Sequence, residues 1–128
     1  IFCKLNTVTY GVFGHEDLVG LEDPPWVGLA GTLAWIPEQQ AAERAFGRKP
    51  ARVLVEDVEA LGQAVALGLG VGVLPRGLAA TLSGVQELKA PVGIGLPERT
   101  LWALVHRAKR DVPRIRAVFD WLVERLSE

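Results

Sequence analysis

The clearest pattern of apolar and polar positions lies between Val53 and Pro75, where it predicts a strand, a helix and a second strand. The run Val53–Val55 is short and apolar, which is typical of a buried strand. Asp57 is a residue type that favours a helix N-cap, and Gly68 suits the left-handed turn that ends a helix. A second apolar run follows, and we predict that both strands lie parallel in one sheet. The helix carries apolar side chains at helical spacing, namely Val58, Leu61, Val65 and Leu69.

The rest of the chain continues to alternate between strand-like and helix-like segments. This alternation predicts an α/β fold with a mostly parallel sheet. The predicted strands are Ile1–Leu5, Val8–Phe13, Trp26–Leu29, Val85–Leu88 and Leu101–Val105. The predicted helices are Glu38–Phe46 with Pro37 in its first turn, Gly77–Leu82, and Val112–Leu126 capped by Asp111.

Composition narrows the possible functions. The chain has 128 residues, 49% of them hydrophobic, and a formal net charge of −1, which makes no bulk electrostatic case for nucleic acid or a membrane as partner. No apolar run is long enough to span a bilayer. A single cysteine, Cys3, cannot form an internal disulfide, so we expect a cytoplasmic protein. Neither histidine shows metal-ligand spacing with Cys3, and we predict no metal, cofactor or catalytic group.

The residues around the central unit, together with the C-terminal segment, resemble a known family. Glu56-Asp57 opens a helix that is followed by Gly-Leu-Gly-Val-Gly-Val-Leu-Pro, and the chain finishes with Leu101–Val105, a basic turn and an amphipathic helix. This order is similar to the effector-binding domain of LysR-type transcriptional regulators. The resemblance implies a periplasmic-binding-protein-like (type 2) fold. Residues 12–98 would form one complete Rossmann-like lobe, and residues 1–11 and 99–128 part of the second lobe.

The same resemblance implies that the sequence is a fragment. It opens on Ile1 rather than Met, the second lobe lacks its expected opening strands, and no helix-turn-helix pattern is present. We therefore expect DNA to be a partner only through a missing N-terminal domain. The apolar stripe of the last helix should then pack on a neighbouring molecule or on further chain, and self-association as a dimer or larger oligomer is expected.

Candidate effector-binding residues follow from where the strands end, because ligands of open α/β sheets bind outside the carboxyl ends of the strands. Asp57 is more simply a structural cap. Glu56 is either a solvated loop acid or a cleft residue, and in the cleft its carboxylate would favour a cationic or hydroxyl-rich effector. The full predicted set comprises residues at strand ends, namely Gly31, Thr32, Glu56, Asp57, Leu74 and Pro75, and residues on the two crossings between lobes, namely Tyr10, Phe13, Thr100 and Leu101.

Other motifs are better explained structurally. The glycines from Gly68 to Gly72 follow a helix rather than precede one, which is the wrong order for a phosphate-binding loop. The basic run His106–Arg110 lacks interleaved aromatic residues and is interpreted as a solvated turn. The sequence thus favours a small-molecule sensing module of a LysR-type regulator. A solute-binding protein of the same two-lobed fold is the alternative, and an enzyme is disfavoured by the missing catalytic set.

Overall fold

The computed structural model describes residues 2–126, so Ile1 of the first predicted strand lies outside the described residues. It is a mixed α/β structure, and its described part contains six strands and four α-helices. The strands are β1 (Phe2–His15), β2 (Val27–Leu29), β3 (Val53–Val55), β4 (Gly72–Pro75), β5 (Val85–Leu88) and β6 (Glu98–Leu104). The helices are α1 (Pro37–Phe46), α2 (Val58–Ala66), α3 (Arg76–Ala79) and α4 (Pro113–Leu126).

The chain divides into two compact units. One is Thr9–Pro97, and the other contains the described residues before Thr9 and after Pro97. Strand β1 runs through both units as one continuous strand, whereas the sequence predicted two separate strands.

In the Thr9–Pro97 unit, β1 pairs antiparallel with two strands, one on each side. Its register with β4 runs from Tyr10↔Pro75 to Phe13↔Gly72, and its register with β5 runs from Val12↔Leu88 to His15↔Val85. The expectation of a mostly parallel sheet is therefore wrong for these ladders. Whether a strand pairs parallel or antiparallel depends on its partner strand, and no residue pattern within β1 predicts which occurs.

The parallel part of this unit is built on β2. Strand β3 pairs with β2 in parallel, and an isolated parallel bridge joins Trp26 to Val71, just before β4. The predicted strands at Val53 and Val71 therefore do not pair with each other. Each runs parallel to the β2 segment, from opposite sides, and they belong to separate ladders.

The core of the Thr9–Pro97 unit lies where α2 and α3 pack on this sheet. Leu74 and Val65 are completely buried, and Val27 and Leu29 are nearly so. The remaining core members are Phe13, Leu61, Ala64 and Ala79. The apolar face predicted for α2 is the face that is buried, since Leu61, Ala64 and Val65 are its core positions.

Helix α1 is held against β2 by a buried amide. Gln39 is only 3% exposed, and its Oε1 accepts a hydrogen bond of 2.7 Å from the Leu29 N–H. Its Nε2 donates to Glu43 Oε1 at 3.1 Å. Both ends of the amide are thereby satisfied, which a buried polar side chain requires.

In the second unit, β6 pairs with β1, and α4 packs beside β6. Helix α4 begins at Pro113, with the Val112 carbonyl accepting the Arg116 N–H, so the predicted cap at Asp111 is wrong. None of the residues of α4 is buried. Its apolar stripe and β6 line a groove of about 540 Å³, formed by Trp102, Ala103, Leu104, Val105, Arg114, Ile115, Val118, Phe119 and Leu122.

Candidate functional site

Two neighbouring strands of the Thr9–Pro97 unit end side by side. The parallel register of β2 and β3 aligns Leu29 with Val55, and a further hydrogen bond of 2.9 Å runs from the Ala30 N–H to the Val55 carbonyl. The two chains therefore leave the ladder at the same edge. The structure places Gly31 and Thr32 after one strand, and Glu56 and Asp57 after the other.

Gly31 and Glu56 are brought into contact at this edge. Gly31 begins a short 3-10 helix, Gly31–Leu33, with a φ angle of 65°. A Cβ added to Gly31 would lie 3.3 Å from Glu56 Oε1, so the carboxylate lies directly against the glycine backbone. The positive φ angle and the close carboxylate both favour glycine at this position. Thr32 follows on the same 3-10 helix and is exposed.

The two adjacent acids have different roles. Asp57 is the N-cap of α2, and its Oδ1 accepts a hydrogen bond of 2.7 Å from the Ala60 N–H, as the residue pattern predicted. Glu56 is exposed, and within residues 2–126 no hydrogen bond or ion pair reaches its carboxylate. Of these two acids, Glu56 is the one whose carboxylate has no partner among the described residues.

The predicted residues on β1 and β4 share one ladder but differ in exposure. Tyr10 is directly opposite Pro75, where β4 ends, and Pro75 is half-buried. Phe13 and Leu74 are 6% and 0% exposed and belong to the hydrophobic core. The side chains of Phe13 and Leu74 therefore hold α2 and α3 on the sheet, and their role at an effector site stays a prediction.

The last two predicted residues lie in the other unit. Thr100 and Leu101 are consecutive residues of β6, and both are exposed. Their role as part of an effector site also stays a prediction.

An ion pair close to the end of β4 is not predicted by any pattern in the sequence. Arg76 donates to Glu87 through two nitrogens, with Nη2–Oε2 at 2.6 Å and Nε–Oε1 at 3.2 Å. The hydrogen bond from Arg76, assisted by its charge, holds the pKa of Glu87 below its ordinary value, and the hydrogen bond to Glu87 raises the pKa of Arg76. No short stretch of sequence predicts this ion pair, because Arg76 and Glu87 meet only when β4 and β5 lie on either side of β1.

The pair crosses β1 at a glycine. A Cβ on Gly11 would lie 2.9 Å from Glu87 Oε2 and 2.9 Å from Phe13 Cε2. Because Gly11 has no side chain, the ion pair between Arg76 and Glu87 can lie over β1 at this position. The pair ties the first residue of α3 to β5, and this fixes the chain where it leaves β4.

Trp35 is the exposed aromatic residue nearest in sequence to this edge. It lies between the 3-10 helix and α1, and its side chain is 80% exposed. Its carbonyl accepts a hydrogen bond of 3.2 Å from Gln40 Nε2, so the backbone there is anchored to α1. Gly31 and Leu54 also line a groove of about 550 Å³ on this unit.

The described residues hold no arrangement suited to a metal. Among residues 2–126, no three His, Cys, Asp or Glu side chains converge on a common point. In the same range, no helix combines the length and the apolar character needed to cross a bilayer.

A family model described as the LysR substrate binding domain matches residues 9–127. The chain belongs to this LysR family. No curated protein sequence matches this LysR domain. Its solved structural relatives show the periplasmic-binding-protein-like type 2 fold, as the sequence resemblance implied.

Three of these relatives differ in their structural similarity and sequence identity to this chain. The regulatory domain of CrgA, a LysR-type transcriptional regulator from Neisseria meningitidis, has a TM-score of 0.71 and 14% identity, with 99% of this chain and 69% of that chain covered. The CcmR regulatory domain from Synechocystis PCC6803, in complex with 2-PG, has a TM-score of 0.61 and 18% identity, covering 98% and 66%. Full-length LysG from Corynebacterium glutamicum, with bound effector Arg, has a TM-score of 0.58 and 22% identity, covering 100% and 48%.

These relatives are transcriptional regulators, or regulatory domains of them, rather than enzymes. The LysR chain described here spans about two thirds of the two regulatory domains and about half of the full-length protein. At these identities the likeness establishes the fold.

Proposed function

We propose that this chain senses a small-molecule effector, bound in the cleft between the two lobes of the LysR-type fold. Occupancy of the cleft controls DNA binding by a winged helix-turn-helix domain of the same regulator. The observation that carries the proposal is the meeting of the carboxyl ends of β2 and β3, where Gly31, Thr32 and Glu56 are exposed. Tyr10 with Pro75 on the same unit, and Thr100 with Leu101 on β6, complete the proposed lining.

The relatives support sensing as the role of this fold. CcmR is seen in complex with 2-PG, and LysG is seen with bound effector Arg. We extend effector binding to this chain on the strength of its family membership. The regulator would be cytoplasmic and would self-associate. A change in lobe or subunit geometry caused by the ligand can then be transmitted to a separate domain.

The test is saturable binding without turnover. A panel of amines, carboxylates, sugars and aromatic compounds is screened by thermal shift, and each hit is measured by isothermal titration calorimetry. An effector present at about 100 times its Kd should stabilise the folded chain by roughly 2.7 kcal/mol. The expected result is one site per chain, with the compound recovered unchanged. Conversion of the compound, or the absence of any hit across the panel, would contradict effector sensing.

The control of transcription needs a separate readout. In the regulator that contains this domain, the effector found above should change the affinity for promoter DNA in an electrophoretic mobility-shift assay. Thr32→Val, which removes an exposed hydroxyl at the strand end, should weaken both effector binding and the DNA response. A hit that binds fully but leaves promoter affinity unchanged would confine the chain to binding without regulation.

A further inference from the structure

We infer that the effector carries a positively charged nitrogen, an amine or a guanidinium, which pairs with the carboxylate of Glu56. The inference rests on the proposed function and adds the chemical class of the ligand. It follows from the charges that the structure leaves available at the ends of β2, β3 and β4 within the Thr9–Pro97 unit.

Among the described residues, Glu56 has a free carboxylate and Asp57 does not. The oxygen of Asp57 that faces α2 is bonded to the Ala60 N–H at 2.7 Å. Within residues 2–126, Glu56 is exposed and has neither a hydrogen-bond donor nor a cation as partner. An anion at a ligand-facing edge without an internal partner is available for a charged ligand.

The backbone beside Glu56 leaves its carboxylate approachable. The neighbouring strand end is Gly31, where the φ angle of 65° favours glycine and an added Cβ would lie 3.3 Å from Glu56 Oε1, so no side chain of Gly31 covers the carboxylate. A donor group of a ligand can therefore reach the carboxylate over the glycine. The exposed Thr32 hydroxyl follows directly and offers a second polar contact.

The segments that end at this edge contain no cation. Between Val53 and Pro75 there are three acids and no Lys, Arg or His, and residues 27–37 contain no charged residue at all. The first cation after β4 is Arg76, and it is paired with Glu87, to which its Nη2 and Nε donate at 2.6 Å and 3.2 Å. A carboxylate or phosphate ligand would meet negative charge at this edge, whereas an ammonium or guanidinium group would meet its complement.

The test uses matched compounds that differ in charge and keep their shape. The chain is titrated by calorimetry with butylguanidine and butylurea, with putrescine and 1,4-butanediol, and with benzylamine, benzyl alcohol and benzoate. We expect binding within at least one set, with the cation bound at least about 10-fold more tightly than its neutral or anionic counterpart, because a charge-assisted hydrogen bond is roughly twice as strong as a neutral one.

The variants assign the preference to Glu56. Glu56→Gln should weaken binding of the cation by on the order of 10- to 100-fold and leave the neutral counterpart nearly unchanged. Glu59→Gln removes another exposed carboxylate, on the first turn of α2, and should keep the preference. Both variants should melt within a few degrees of the parent, since the two side chains are exposed.

Each result has a distinct meaning. A neutral or anionic member that binds as tightly as the cation, or a preference that survives Glu56→Gln, overturns the assignment of a cationic effector while effector sensing stands. A complete lack of binding by these sets and by the wider panel overturns both. A cation preference that Glu56→Gln abolishes and Glu59→Gln retains supports the inference.

Discussion

Replacement of Leu74 by alanine tests whether this predicted effector residue is instead a core residue. Leu74 is completely buried and belongs to the cluster beneath α2 and α3. The change removes roughly three methylene equivalents at about 0.8 kcal/mol each, and the remaining cavity adds up to about 2 kcal/mol. We therefore expect the free energy of unfolding to fall by about 2.5–4.5 kcal/mol.

The assay is urea unfolding followed by tryptophan fluorescence, to which the buried Trp26 contributes. With an m-value of about 2 kcal/mol/M, the midpoint should move down by roughly 1–2 M urea. Leu67→Ala is the matched control, because Leu67 is 75% exposed and its loss should change the free energy by less than about 0.5 kcal/mol.

The reasoning would be refuted by a Leu74→Ala chain that unfolds within about 0.5 kcal/mol of the parent. If that chain also lost effector affinity without losing stability, Leu74 would be a binding residue and the packing argument would be wrong. A large loss of stability with unchanged affinity per folded molecule is the expected outcome.

The remaining predictions concern single contacts. Asp57→Ala should lower the free energy of unfolding by about 1 kcal/mol through loss of the α2 N-cap, with Asp57→Asn close to the parent, both measured by thermal and urea unfolding. Gly31→Ala should cost roughly 1 kcal/mol, because the left-handed backbone disfavours a Cβ and the new methyl crowds Glu56, and Gly31→Asn should cost less. The Glu87 carboxyl has a lowered pKa in the folded chain, so its pairing with Arg76 contributes stability above the pKa of the unfolded carboxyl, near 4.5, and loses it as the pH falls through the folded value. The stability difference between the parent and Glu87→Gln, measured by urea unfolding from pH 7 to pH 3, should therefore be constant near neutrality and shrink in acid, and a difference that grows in acid would contradict the ion pair.

Residue patterns were reliable where the interactions are local. The N-cap at Asp57, the apolar face of α2 and the strand Val85–Leu88 are confirmed by the structure. Helix periodicity and capping depend on residues three or four positions apart, so a short stretch of sequence contains the information. Asp111 shows the limit, because its residue type predicts an N-cap although α4 begins two positions later, at Pro113.

The position of the candidate site was predicted from where the strands end, but the contacts between its residues are visible only in the structure. The sequence predicted that Glu56 and Gly31 each follow the end of a strand, and ligands of open α/β sheets bind outside such ends. It did not show that β2 and β3 align so closely that Glu56 lies against Gly31. Nor did it show that Leu74, one of the predicted effector residues, is completely buried and belongs to the hydrophobic core.

By itself, the sequence was enough to predict the α/β class and most helix and strand positions, because those follow from local periodicity and turn chemistry, and the order of its motifs carried the LysR-type resemblance. Only the tertiary structure decided that β1 runs antiparallel between β4 and β5, since pairing depends on segments distant along the chain. The same pairing brings Arg76, the first cation after β4 along the chain, to Glu87 across Gly11. Which charges remain free for a ligand is therefore a property of strand order, and no stretch of residues read alone contains it.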